Sequence, residues 1–181
     1  MDNYTKNCPG CGKEIELYTL VCTHCGQMFA VHYTDDRALY IQDNTSYYFR
    51  KFNMMNSSGS LNSWNWCAFL FCEAWLIYRK MYKEAIIITV LSLALTAFTL
   101  MFSLPAIVTS LFTAAISIFV GLRGNSIYMH HVDKLVTNGT AMPPYEKELY
   151  AQKAGGTSWL NVIVLALATA ALDTVITNNF M

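Results

Sequence analysis

The feature that most constrains this fold is a pair of long charge-free runs in the middle of the chain. Ala85–Leu104 carries no charged residue over 20 positions, and as a helix it would be about 30 Å long, the thickness of a bilayer's hydrocarbon core. Pro105 follows, and Ala106–Leu122 adds a second charge-free run. In lipid, every backbone N–H and C=O must be satisfied within its own segment, so both runs should be helical. The sequence therefore predicts a transmembrane hairpin over residues 84–122.

Composition favours a membrane protein over a soluble one. The chain is 54% hydrophobic and 13% charged, against about 25% charged for typical soluble domains. A chain of 181 residues also has too little other material to bury such a helical pair. A third apolar run predicts a last transmembrane helix within residues 158–181. We therefore expect an all-α membrane protein with about three transmembrane helices, an interfacial helix before them, and a small N-terminal domain.

That N-terminal domain, residues 1–28, contains two matching C-x-x-C turns. Zinc takes four ligands in a tetrahedron, and each such turn places two thiolates on one side of the metal. Gly12 and Gly26 follow the turns, where glycine can adopt positive φ. The alternative is two disulfides, which a cytosolic domain without a signal peptide would not keep. The predicted ligands of a four-cysteine zinc ribbon are Cys8, Cys11, Cys22 and Cys25.

Charge argues against nucleic acid as the partner of this ribbon. From the N-terminus through Ser63 there are five basic and six acidic residues, and a four-thiolate zinc centre adds about two more negative charges. Nucleic-acid binding needs lysine and arginine to neutralise phosphates. A site closed by four cysteines also has no position for a catalytic water. We expect a structural or protein-binding role.

The residues between ribbon and hairpin divide into a linker and an aromatic block. The linker, 29–62, includes a short amphipathic helix at Tyr47–Phe52 and a flexible stretch at Asn53–Ser60. The block, 63–83, is too short to span with ease and contains Glu73, so it should lie in the interface or re-enter it. Cys67 and Cys72 within it are expected to be small buried hydrophobes. The predicted membrane-interface residues are Trp64, Trp66, Trp75, Tyr78, Arg79 and Lys80.

A pattern in this block resembles a known family. W-N-W-x-A-F-L-F followed by W-x-x-Y-R-K-M-Y, over Trp64–Tyr82 ahead of an apolar hairpin, is similar to small bacterial membrane proteins of unknown function, often fused to a zinc ribbon. The resemblance covers about residues 45–160 and includes Gly124-Asn125. It implies location and architecture but no reaction. One departure is Cys72-Glu73, where the family more often has a glycine–proline break, which argues against a kink here.

Polar residues inside the predicted spans have two interpretations. Hydroxylated residues recur on one face of each hairpin arm, a pattern typical of close helix packing; they are Thr89, Ser92, Thr96, Thr99, Ser103, Thr109, Thr113 and Ser117. The other interpretation is a hydrophilic path, for which Asp173 is the best single indication. Because Asp173 lies about one turn from the polar chain end, we expect it to reach the interface instead.

The segment 123–157 should lie in the cytoplasm. It contains a helical spacing over Arg123–Val136 that is typical of a short helix on the membrane surface. His130, His131 and Asp133 occur there, but adjacent histidines diverge by about 100° on a helix, so we do not predict a metal or acid–base site.

The sequence thus predicts a non-enzymatic protein of the bacterial cytoplasmic membrane, an adaptor, scaffold or regulator. Its expected partners are the lipid bilayer, an unknown protein bound through the ribbon, and a second copy of itself. The alternative is a small transporter or channel component that uses the hydroxyl faces and Asp173. The positive-inside rule and the reduced thiolates predict a multi-pass topology with a cytoplasmic N-terminus and an outside C-terminus.

Overall fold

The computed structural model describes residues 5–16, 22–27 and 36–167. Asp173 and the rest of 168–181 lie outside these ranges. Residues 159–167 are also helical. The other described elements are strands β1 (Thr5–Asn7) and β2 (Glu14–Glu16) and helices α1 (Arg37–Ile41), α2 (Thr45–Ser58), α3 (Trp66–Tyr78), α4 (Tyr82–Met101), α5 (Ala106–Gly139) and α6 (Pro144–Ala154).

The N-terminal ribbon is a separate small structure. β1 and β2 pair antiparallel, with Thr5 opposite Glu16 and Asn7 opposite Glu14. Its buried residues, among those described, are Cys8, Ile15 and Cys22. In the parts of the chain that are described, these strands contact each other and none of the helices. The helices therefore do not hold the two described strands of the ribbon in place.

The predicted hairpin corresponds to α4 and the first half of α5. Both helices are long and apolar enough to cross a membrane, and only 11% of each apolar window is buried inside the protein. That small fraction distinguishes them from the core helices of a soluble protein. Pro105 caps α5 with φ −57° and ψ 145°, a conformation that lets the chain reverse. The predicted third span is described only as far as residue 167.

α5 differs from the sequence prediction because it does not end where the charge-free run ends. One helix of 34 residues runs from Ala106 to Gly139, about 51 Å long. The predicted separate surface helix at Arg123–Val136 is therefore wrong. No proline interrupts this stretch, and a single charge at Arg123 is compatible with a helix whatever solvent surrounds it. The second half of α5 thus projects beyond the hairpin.

This second half forms the axis of a compact helical cap with α1, α2, α6 and the end of α3. The prediction of a flexible Asn53–Ser60 stretch is wrong up to Ser58, since α2 continues to that residue and buries Met55 at 3% exposure. Gly59, with φ 64°, then ends the helix. The fully buried large side chains of the cap include Tyr40, Ile41, Phe52, Leu76, Tyr128 and Val132.

α3 is broken in the middle and returns toward the level at which it began. The backbone leaves the helical region at Cys72, with φ 16° and ψ −95°. Asn65, before α3, donates its N–H to Gly121 O at 2.8 Å, and Arg79, after it, donates to Tyr128 Oη at 3.4 Å. Gly121 and Tyr128 are about 10 Å apart along α5, whereas a straight helix of 13 residues would span about 20 Å.

Between those two ends, Glu73 reaches Ser92 in the middle of α4, 3.4 Å away. The chain therefore passes toward the hairpin tip and turns back at Cys72. The departure from the glycine–proline pattern does not remove the kink, contrary to the sequence prediction. We call α3 the re-entrant segment for this reversal of its path within the protein; its place relative to a membrane stays a prediction.

Close packing at the start of α3 depends on two glycines of α5. A Cβ added at Gly121 would lie 2.8 Å from Phe69 Cβ, and one at Gly124 would lie 2.9 Å from Ala68 Cβ. Both distances are shorter than carbon atoms tolerate. The two glycines therefore set how closely the re-entrant segment can approach α5.

Candidate metal centre and polar collar

The four cysteines of the ribbon converge as the sequence predicts. All four Sγ atoms lie within 4.8 Å of one another. Cys8 and Cys25 are 3.6 Å apart and Cys11 and Cys22 are 3.7 Å apart, measured between sulfurs. A tetrahedral zinc ion with Zn–S bonds of about 2.3 Å requires sulfurs about 3.8 Å apart. The donor set and its spacing therefore fit a zinc ion held by four thiolates.

Backbone turns place these sulfurs. Gly12 donates its N–H to Cys8 O at 2.7 Å, and Gly26 donates to Cys22 O at 2.9 Å. Both glycines adopt positive φ, 69° and 73°, which closes each turn beneath its pair of thiols. The two knuckles are thus built alike, as their matching sequences predict.

In the folded ribbon without metal, hydrogen bonding makes the pKa values of the thiols unequal. Burial alone would raise the pKa of Cys22, but hydrogen bonds from the backbone at His24 and Cys25 lower it to about 6. For Cys25, the backbone at Gln27 favours the thiolate, yet burial and hydrogen bonds with the other cysteines raise the pKa to about 12. Metal binding at neutral pH must therefore displace protons from this cluster.

The other candidate metal ligands are not brought together. His24 is exposed on its turn. Asp133 pairs with Arg37 at 2.6 Å, and the ring of His131 stacks on that of Tyr128 at 6.4 Å between centroids. Across the described ranges, the cysteine cluster is the one group of potential ligands close enough to hold an ion. That no metal site forms around His130 stays a prediction.

A second polar centre lies around the midpoint of α5. Both ends of α3 and the start of α4 meet α5 there. We call it the collar; its members are Ser63, Asn65, Arg79, Lys80, Asn125 and Ser158. Asn125 is fully buried and accepts a hydrogen bond from Asn65 Nδ2 at 2.9 Å. Its own amide donates to Ser63 Oγ at 3.1 Å. Because these amide groups are satisfied within the protein, they fix the start of the re-entrant segment against α5.

Arg79 is buried rather than exposed at an interface, and this corrects the sequence prediction. Only 2% of it is exposed. Its guanidinium donates to Asp43 O at 3.2 Å and lies over the rings of Tyr48 and Tyr128, at 4.5 and 5.1 Å from their centroids. Among the described residues no carboxylate pairs with it. A planar, weakly hydrated cation can be held in this way by carbonyls and aromatic faces.

Trp75 is likewise part of the core, at 5% exposure, so it does not belong to an outer aromatic surface. Its ring lies 6.2 Å from that of Tyr128. Lys80 donates to Gln152 O and Lys153 O at 3.2 and 3.0 Å. These are the last carbonyls of α6, which a lysine commonly satisfies. Sequence reasoning missed these roles because the contacting residues are distant along the chain.

The remaining predicted aromatic residues do lie near the outside of the collar. Trp66 is 64% exposed and its ring contacts that of Trp64 at 5.3 Å. Tyr78 contacts Trp159, which is 68% exposed, at 4.8 Å. Ser158 also donates its N–H to Tyr78 O at 2.9 Å, so the helix that begins at 159 starts at the same level. Cys67 is exposed and Cys72 is buried, so the prediction that both are buried is correct for one.

The hydroxyl faces of the hairpin serve mainly their own helices. Thr96 and Thr113 each donate to a carbonyl four residues earlier, at 3.0 and 3.1 Å. One contact joins the two arms near the hairpin tip, from Thr109 Oγ1 to Thr99 Oγ1 at 3.0 Å. Helix packing through hydroxyls is therefore present, but at the tip more than along the arms.

A family model described as Protein of unknown function (DUF2628) matches residues 34–134. The chain belongs to this family. The match begins after the cysteine cluster and ends within α5, so it includes the re-entrant segment and the hairpin. The family description assigns no reaction, and it does not extend to the ribbon. No curated protein and no solved structure matches the chain.

Proposed function

We propose that this protein is a non-enzymatic adaptor of the bacterial cytoplasmic membrane, in which the ribbon binds a protein partner and the helices provide the anchor. The observation that carries the proposal is the closed set of four thiols. Four protein ligands leave no coordination position for a substrate or a catalytic water. The ion would therefore shape a binding surface on a domain whose two described strands make no contact with the helices.

The membrane anchor is supported by the distribution of apolar surface. The large exposed hydrophobic side chains are concentrated on α3, α4, the first half of α5 and residues 159–167; they include Ile86, Ile87, Val90, Leu93, Ile107, Leu111, Phe119, Leu160 and Val164. A monomeric soluble protein does not expose contiguous apolar faces of this size. We propose that these faces contact lipid, that the cap and ribbon are cytoplasmic, and that the helix from 159 crosses as a third span.

The experiment compares partner recovery by matched variants in native membranes. The full-length protein and a Cys8→Ser, Cys22→Ser double variant are cross-linked in cells, solubilised, and their cross-linked proteins quantified. Both should remain in the membrane fraction. The amount of cross-linked partner recovered with the double variant should be at least tenfold lower than with the full-length protein. His24→Ala, an exposed change on the same turn, is the control and should retain it. Equal recovery by the double variant would contradict the adaptor proposal.

The alternative of a transporter or channel component based on Asp173 stays a prediction, because Asp173 lies outside the described residues. Its test is direct: Asp173→Asn should leave the function of an adaptor unchanged and should impair that of a transporter or channel component.

A further inference from the structure

Glu73 is the one carboxylate on the apolar helix α3, and it lies at the turn of the re-entrant segment. It follows Cys72, where the backbone leaves the helical region. Its Oε1 accepts a hydrogen bond from Ser92 Oγ at 3.4 Å. The side chain is partly buried between α3 and α4. Neither the family match nor the adaptor role uses this residue.

The contact with Ser92 places the carboxyl group deep within the apolar part of the protein. Ser92 lies ten residues after Tyr82, where α4 begins, and nine before Met101, where it ends. The carboxyl group is therefore about 15 Å along α4 from the collar. If α4 crosses the bilayer, as proposed above, Glu73 is near the midplane. An unpaired carboxylate ion is strongly disfavoured at that depth.

Within the described chain, no positive charge is placed to neutralise Glu73. On α3 the neighbouring titratable group is Cys72. α4 carries Lys83 and Glu84 in its first turn and no other charged residue, and α5 has none before Arg123. Arg79 and Lys80 are occupied by carbonyls of the cap. Residues 159–167 contain no titratable side chain. The described chain therefore offers Glu73 no counterion, and a bound cation would have to balance its charge.

The surrounding groups decide which cation fits. Hard metal cations take about six oxygen ligands, whereas one carboxyl group and one hydroxyl meet here. A proton needs a single carboxylate oxygen and leaves the other to accept from Ser92. We propose that Glu73 is a proton-binding site within the membrane layer, with Ser92 as its positioning partner. The inference rests on the proposed membrane placement of α4.

The test uses an apolar carbodiimide, dicyclohexylcarbodiimide, on the full-length protein in lipid vesicles. The carboxylic acid gives its proton to a carbodiimide nitrogen, its oxygen bonds to the central carbon, and the adduct rearranges to an N-acylurea without a leaving group. Peptide mass spectrometry should find this adduct on Glu73, and its yield should fall as pH rises because the protonated form reacts. Glu73→Gln should reduce the label in this peptide at least tenfold, and the control Glu84→Gln should leave it unchanged.

Three results would overturn the inference: no adduct on Glu73, equal labelling of Glu73 by a water-soluble carbodiimide, or protection of Glu73 by sodium ions at constant pH. A parallel measurement separates this failure from failure of the membrane placement. Leu93→Cys, on the exposed face of α4 beside Ser92, should resist a membrane-impermeant maleimide. If it reacts, the placement itself is wrong; if it is protected and Glu73 remains unlabelled, the proton site alone is wrong.

Discussion

The ribbon and the helical cap are both small, but different interactions stabilise them. In the described part of the ribbon three residues are buried, far too few to offset its chain entropy without an ion. The cap instead buries an aromatic core around Tyr128 and a guanidinium that carbonyls and rings hold. The comparison teaches that one region can be unfolded by removing a metal while the other responds only to changes in packing. Each prediction below changes one of the two regions.

The largest effect should follow from metal removal. Purified protein should contain close to one zinc ion per chain, and a chelator or Cys8→Ser should unfold the ribbon because the ion supplies on the order of 10 kcal/mol or more in small zinc domains. Metal analysis and proteolysis of the N-terminal residues check this. The cap should keep its unfolding midpoint. Zinc well below one per chain would contradict the prediction, as would a ribbon that stays protected without metal.

Arg79→Met should have the next largest effect, now on the cap alone. The change leaves Asp43 O and Tyr128 Oη without their donor and removes the cation from two ring faces, which together should cost about 2–4 kcal/mol. Equilibrium unfolding in detergent, followed by tryptophan fluorescence, measures it. Lys83→Met removes an equivalent charge at an exposed position and is the matched control. If both variants unfold at the same denaturant concentration, the guanidinium has no structural role.

Gly124→Ala tests the close approach of α3 to α5. The added Cβ would meet Ala68 Cβ at 2.9 Å, so the re-entrant segment must shift, at a cost of about 1–3 kcal/mol. The same unfolding assay applies, and zinc content should not change. Lys134→Ala, on the exposed side of the same helix, should change stability by less than about 0.5 kcal/mol. A silent Gly124→Ala would mean that α3 does not pack against α5 as described.

The smallest effect on either region should come from a change of pH, which alters zinc affinity. In the folded arrangement the pKa of Cys22 is lowered from 9.0 to about 6, but a ribbon that unfolds without metal has four free thiols with pKa values of about 8.5. Zinc must then displace four protons throughout the range from about pH 6 to about pH 8. The affinity, measured by competition with a chromophoric chelator, should therefore decline by about four factors of ten for each pH unit lost. A slope of about three factors of ten above pH 6, steeper below it, would show that the metal-free ribbon stays folded with Cys22 ionised, which would contradict the prediction.

The sequence predicted best what depends on local spacing. The cysteine cluster follows from two four-residue turns and their glycines, and the hairpin follows from uninterrupted apolar runs. Both are determined within short stretches of chain, so neither needs knowledge of distant contacts.

Distant contacts explain most of what was mispredicted. Arg79 resembles an interfacial anchor in sequence, because the residues that enclose it, Tyr48 and Tyr128, lie 31 positions before it and 49 after it. Likewise, Arg123 ends the charge-free run but not the helix. No glycine or proline near Cys72 indicates the kink in the sequence. Tertiary contacts on both sides of the turn hold it instead, and these are not visible from the local sequence.

The continuity of α5 has a mechanical consequence. The second half of α5 packs into the cap through Tyr128, Val132 and Leu135, while the first half of α5 lies among the outer apolar faces. A helix held in this way moves as one rigid rod that pivots at the collar. The arm beyond Leu122 is about 26 Å long, so a tilt of about 10° moves its far end by about 4–5 Å. Any displacement of the hairpin in its surroundings would thus reach the cap as a shift comparable to the width of a side chain.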